Sequence, residues 1–139
     1  MTSSTQIEKY LQKDIYFLGC YPHDKLPSFP SCFPKSIIIN TDSGSGEHWV
    51  ALVMTETACF YLDSYGLPII NMSILQYLHP YHKVTYSNIC IQDVFSNKCA
   101  HFCVYFVTIV KNKVDYVNFL SCFNFRNLKE NDIIVNSLL

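Results

Sequence analysis

The chain has 139 residues, 50% of them hydrophobic, with ten Phe, ten Tyr and a formal net charge of −1. That length fits one domain, 1–139, with enough apolar side chains to bury roughly two-thirds of the unfolded chain's surface. Few charges and modest Gly and Pro exclude a disordered chain, and the lack of any long Lys/Arg run leaves no electrostatic footprint for strong, sequence-independent DNA binding.

Residues 3–13 are predicted to be helical. Thr5-Gln6-Ile7-Glu8 fits a capping box, and Ile7, Tyr10 and Leu11 make one apolar stripe. Residues 21–35 are rich in Pro among small and polar residues and read as an irregular loop. Three strand-like runs follow, Ser36–Asn40, His48–Met54 and Cys59–Asp63. The first two flank the Gly/Ser-rich connection Thr41–Glu47, and the second and third flank the short turn Thr55–Ala58, which predicts an antiparallel hairpin. Asn71–Leu78 reads as a short helix and Lys83–Gln92 as a further strand or two. Cys99, Phe102, Cys103, Phe106, Val107 and Val110 then recur at helical spacing, the clearest periodic signal in the chain. Asp115–Cys122 and Leu128–Leu138 are predicted as later helices. The sum is an α+β fold, with a small, mainly antiparallel sheet and helices at both ends.

The N-terminal segment lacks the apolar core of a secretory signal, and no apolar run reaches the roughly 18 residues of a membrane-spanning helix. A non-secreted protein in a reducing compartment is expected, with its seven cysteines as free thiols. The odd number directs attention to one reactive thiol among inert, buried ones.

Thiol catalysis needs a cysteine held as thiolate, a histidine for its proton, a group to orient that histidine, and donors for the oxyanion. A helix N-terminus favours a thiolate through its free N–H groups and dipole. Cys99 opens the strongest predicted helix, just after Ser96-Asn97-Lys98, whereas Cys59, Cys90, Cys103 and Cys122 sit in apolar runs. His48 opens one hairpin strand after Gly44-Ser45-Gly46, and Asp63 closes the other before Ser64-Tyr65-Gly66. Hairpin pairing puts both at one edge of the sheet, as a base and its orienter require. Gln92 stands seven residues before Cys99, where its amide can donate to an oxyanion beside the Cys99 N–H. Each residue also has a structural reading: a strand-end histidine as a packing residue, a helix-start cysteine as an inert thiol, Asp-Ser-Tyr-Gly as a common turn. Spacing alone leaves the two readings level.

A family resemblance separates them. Tyr16-Phe17-Leu18-Gly19 within Ile15–Asn40, Ile39-Asn40-Thr41 with the following loop and His48-Trp49, Phe60-Tyr61-Leu62-Asp63-Ser64-Tyr65-Gly66, and Gln92 through Cys99 to Phe102-Cys103 together resemble the adenovirus maturation protease (adenain) family, in order over about residues 1–110. The same His-Trp, Asp, Gln and Cys order recurs in the related SUMO- and ubiquitin-like-protein proteases. The resemblance implies a papain-like fold with a nucleophile-bearing central helix. It also implies a cysteine endopeptidase with Cys99 as nucleophile, His48 as base and acid, Asp63 as orienter and Gln92 as oxyanion donor. Polypeptide substrates, capsid or core precursors above all, a monomeric enzyme, and a place in the host nucleus and virion are implied as well.

The chain departs from the family pattern in several places. Asp63 stands where adenain has Glu, and Ala100 and His101 follow the nucleophile where Gly is usual, with His101 expected on a solvated helix face. The cysteine that anchors adenain's activating peptide has no good counterpart, Cys90 aligning poorly and Lys83 falling nearer. Adenain's C-terminal extension is mostly absent. Activation by peptide or DNA is therefore not carried over, and no cofactor is expected. Other readings are a SUMO- or ubiquitin-like-protein protease, a binding module that has lost catalysis, and a metal site from Cys90, Cys99, His101 and Cys103. The last is disfavoured because no Cys-x-x-Cys pair exists and His101 faces away from Cys99 and Cys103.

Overall fold

A computed structural model describes residues 2–42 and 47–139. The fold is α+β. Its elements run α1 (Ser4–Tyr10), β1 (Phe17–Pro22), β2 (Lys35–Asn40), β3 (Trp49–Met54), β4 (Cys59–Leu62), α2 (Met72–Tyr77), β5 (Val84–Tyr86), α3 (Cys99–Ile109), α4 (Lys113–Ser121) and α5 (Leu128–Val135), closed by a 3₁₀ turn at Asn136–Leu138.

The strands form one five-stranded sheet in chain order, β1-β2-β3-β4-β5. The predicted hairpin is present, with Ala51 opposite Leu62 and Met54 opposite Cys59. β2 also runs antiparallel to β3. The two outer pairings are parallel, β1 with β2 and β4 with β5, so the sheet is mixed rather than mainly antiparallel. The chain crosses from β4 to β5 through α2, and from β1 to β2 through the Pro-rich segment, the long connections that parallel neighbours require.

Strand β1 is absent from the sequence reading, and its last residues fall in the predicted loop. Its Gly19, at φ +138°, and Pro22 hide the strand signal, and its register to β2 shifts between Phe17 and Cys20. Pro is tolerated there because β1 is an edge strand. Helix α1, Ser4–Tyr10, is shorter than the expected 3–13, and its N-cap lies two residues before Thr5. Its capping box is Ser3 with Gln6, not Thr5 with Glu8, because Ser3 Oγ accepts from Gln6 N while Gln6 Oε1 accepts from Ser3 N. Of Lys83–Gln92, only Val84–Tyr86 is strand.

Both sheet faces are buried, and alternation along the strands divides them. Ile38, Ala51, Val53, Phe60 and Leu62 face a core built with α1, α3 and α4. Ile37, Ile39, Val50, Leu52, Met54 and Tyr61 face a second core with Ile74 and Leu78, against which Phe29, Phe33, Tyr77 and Tyr81 pack. All six residues of β3 are buried in consequence. Helix α3 lies across β3 and against α4 and α5, so it is buried almost all round rather than along one stripe. Phe106, fully buried, meets the rings of Tyr116 and Phe119 edge-on at 6.3 and 5.2 Å.

Phe106→Ala should therefore cost about 3–5 kcal/mol of folding stability, the usual range for such a truncation. A denaturant titration checks this, and a loss below about 1 kcal/mol would mean that the α3–α4 interface is not the packed core described.

Candidate active site

The site is assembled by the turn that follows β4. Asp63 and Ser64 are buried there, Asp63 Oδ1 accepts from Tyr65 N at 2.9 Å, and Asp63 O accepts from Gly66 N at 2.8 Å. Gly66 has φ +74°, and a Cβ at that position would lie 2.7 Å from the Ile89 carbonyl carbon and 2.8 Å from Cys90 N, so both conformation and space require glycine. The close approach lets Ser64 O accept from Ile91 N at 2.9 Å and Gln92 N at 3.1 Å. The turn thus holds the segment leading to α3 against the end of β4.

His48 precedes β3, and the β3–β4 register, continued past Leu62, brings it level with the turn. Its Nε2 lies 3.1 Å from Asp63 Oδ1, with the side chains 24% and 6% exposed. The two meet as an ion pair and not along a straight N–H···O line, since Nε2 has no hydrogen-bond partner of standard geometry. Tyr65 stacks on the imidazole, ring centroids 5.2 Å apart and planes 24° from parallel. Burial by itself lowers the pKa of this ring. The contacts and charges of Asp63 and Cys99 outweigh burial and raise it from 6.5 to about 9. The Asp63 carboxylate and the Cys99 sulfur thus both act on the imidazole, and both favour its protonated form. The Gly44-Ser45-Gly46 loop before it lies outside the described residues.

Cys99 is the first residue of α3, where backbone N–H groups lack intrahelical partners. It lines a cleft of about 430 Å³ together with Thr2, Glu47, His48, Trp49, Tyr65, Leu67, Ser96, Asn97 and Ala100. The packing of α3 on β3 brings it to the start of β3, and so to His48. The seven thiols are free. Burial, with the Glu8 charge, pushes Cys20 up to about 12, and burial alone does the same to Cys59. Cys103, fully buried, is raised well above the ordinary range. None of these three lines the cleft.

Ala100 is buried and forms part of the cleft wall. His101 corrects an expectation. It is 5% exposed, not on a solvated face, because α3 is enclosed on nearly every side. Burial, then the Lys98 charge, lowers its pKa. Among the described residues no group of three or more His, Cys, Asp or Glu is arranged to hold a metal ion, and no helix is long and apolar enough to cross a membrane.

Gln92 is fully buried and is not part of the cleft wall. Its Oε1 accepts from Ser64 Oγ at 2.5 Å, and its Nε2 donates to Ser96 O at 3.1 Å and to Ser96 Oγ at 3.3 Å. The structure thus brings His48, Asp63 and Cys99 together around one cleft and sets Gln92 beneath its Ser96 wall. Sequence reasoning did not single out Tyr65, which covers the imidazole, or Ser64 and Ser96, which hold the Gln92 amide. Ser64 and Tyr65 were visible only as turn residues, and Ser96 as part of a polar approach to the helix.

No protein-family model and no curated protein matches the chain. A solved structure, the ASFV pS273R protease, is similar over 70% of this chain at 18% identity and a TM-score of 0.46. The matched part is 42% of that protein's length.

Because the folded His48 pKa lies above its ordinary value, the charged ring contributes stability in full below about pH 6.5, and that contribution is lost as pH rises through about 9. Asp63→Asn removes a carboxylate that raises the value, so the imidazole midpoint read by NMR should fall from about 9 toward the ordinary range. An unchanged midpoint would mean that Asp63 does not act on the ring.

Proposed function

We propose that the chain is a cysteine endopeptidase in which Cys99 is the nucleophile, His48 its base and acid, and Asp63 the orienter. The observation that carries this is the His48 imidazole, 3.1 Å from the Asp63 carboxylate and lining one cleft with Cys99, which acts on the ring together with that carboxylate. A carboxylate, an imidazole and a cysteine sulfur at a helix start form an arrangement suited to attack on an amide carbonyl.

In the first half of the reaction the Cys99 thiol passes its proton to His48 as the sulfur attacks the carbonyl carbon and a C–S bond forms. His48 gives its proton to the leaving nitrogen as the C–N bond breaks, which leaves a thioester on Cys99. With Nε2 turned to Asp63, Nδ1 is the nitrogen that exchanges this proton. Water then attacks the thioester while His48 takes a proton from it, and the carboxylate product leaves with the thiol restored. The oxyanion formed in each half is met by the Cys99 backbone N–H at the open start of α3 and by the Gln92 amide.

The substrate class follows the adenain-like order of His48-Trp49, Asp63, Gln92 and Cys99. We assign the chain to the maturation of viral capsid or core precursors, in the host nucleus and the virion. Incubation with the capsid precursors encoded beside it, followed by mapping of new N-termini, tests this. Discrete cleavage that disappears in Cys99→Ala is expected. Processing of Gly-Gly tags with the precursors untouched would move the enzyme to the SUMO- and ubiquitin-like-protein proteases, and cleavage of neither would leave a binding module.

A limiting alkylating agent near neutral pH should label Cys99 before the exposed Cys32 and Cys122, although Cys99 is only 8% exposed. Mass mapping reads the order, and equal labelling of all the cysteines would contradict a nucleophile at position 99.

A further inference from the structure

The Gln92 amide does not stand alone. Ser96 Oγ, which accepts from Gln92 Nε2 at 3.3 Å, also accepts from Lys98 N at 3.1 Å and donates to Asp132 Oδ1 at 3.0 Å. Asp132 lies on α5, 36 residues beyond Ser96 in the chain, and α5 packs against α3. A hydroxyl has one proton to donate and two lone pairs to accept with. Asp132 Oδ1 is the acceptor of that bond, so it draws the Ser96 proton to itself. Both lone pairs are then free for Gln92 and for the backbone N–H next to Cys99. Ser96 O is meanwhile held by Gln92 Nε2 and, at 3.4 Å, by the Tyr65 hydroxyl, whose ring covers His48.

We propose that Asp132 is a positioning residue for the reaction, acting through Ser96 to fix the Gln92 amide and the backbone that enters α3. This rests on the endopeptidase reading. Asp132 touches neither the cleft nor the reacting atoms. Without it the Ser96 hydroxyl can turn its proton toward Gln92 or Lys98, which presents donor to donor and loosens both contacts. The effect falls on the oxyanion donors and the nucleophile's approach, which act in the transition state, so kcat should drop while KM stays near its wild-type value.

The test is a double-mutant cycle on the full chain with a cleaved capsid precursor as substrate. Ser96→Ala and Asp132→Ala should each lower kcat by about tenfold, the rate equivalent of one hydrogen bond to a charged group. The double variant should lose no more than either single variant, because both act along one path. Asp132→Asn, which keeps an acceptor oxygen, should restore most of the rate. Ile133→Ala, at a neighbour 76% exposed, should leave it unchanged. Additive losses, or losses in KM with a lowered unfolding midpoint, would reduce Asp132 to a packing residue. A second readout does not need activity. Solvent exchange of the Gln92 side-chain amide, followed by NMR in ¹⁵N-labelled protein, should quicken about tenfold in Asp132→Ala, as expected when one protecting hydrogen bond is lost. Unchanged exchange would overturn the relay. A wild type that cleaves no polypeptide would overturn the endopeptidase reading and leave the exchange result to decide the relay by itself.

Discussion

The turn from Asp63 to Gly66 ties together segments that sequence keeps far apart. Its carboxylate reaches His48, its Ser64 carbonyl accepts from the backbone N–H groups of Ile91 and Gln92, its Ser64 hydroxyl donates to Gln92 Oε1, and its Tyr65 ring lies over the imidazole. All of this depends on Gly66, because no side chain fits between the turn and the Ile89–Cys90 backbone. A larger residue there would push the 89–98 segment away from β4, and with it the start of α3. The electrostatics of the cleft therefore begin as a backbone packing constraint.

Around that turn the fold supplies rigidity. β3 is buried on both faces and α3 on nearly all sides, so the start of one and the start of the other are fixed relative to each other by two cores. Dense packing of this kind lets few side chains move without cost. It holds the imidazole beside a carboxylate and the Cys99 sulfur in a partly dry site, where their contacts and charges outweigh the penalty of burial and favour the protonated ring. The same enclosure makes Cys20, Cys59 and Cys103 poor nucleophiles, since burial without a neighbouring cation favours the neutral thiol.

Much of this was legible in the sequence, for reasons that can be named. The hairpin placed His48 and Asp63 at one edge because strand pairing through a short turn is a local constraint. The helical period from Cys99 to Val110 announced α3, and its first residue marked the thiol. What sequence hid was non-local. β1 carries Gly19 and Pro22 and is a strand only because β2 offers it an edge. His101 was expected in solvent because an amphipathic stripe says nothing of what packs on the other sides of the helix. The parallel pairings and the Ser64–Gln92–Ser96–Asp132 chain join residues up to tens of positions apart, and no spacing rule encodes such contacts.

The central claim is that Cys99 forms a covalent bond to its substrate, and a thioester can be weighed directly. Capsid precursor mixed with the enzyme and quenched in acid within a single turnover should give a mass increase equal to the acyl fragment on the peptide that contains Cys99. The adduct should be lost in Cys99→Ala and fail to accumulate in His48→Ala. An adduct on any other residue, or cleavage with no adduct at all under conditions that trap thioesters, would contradict the account.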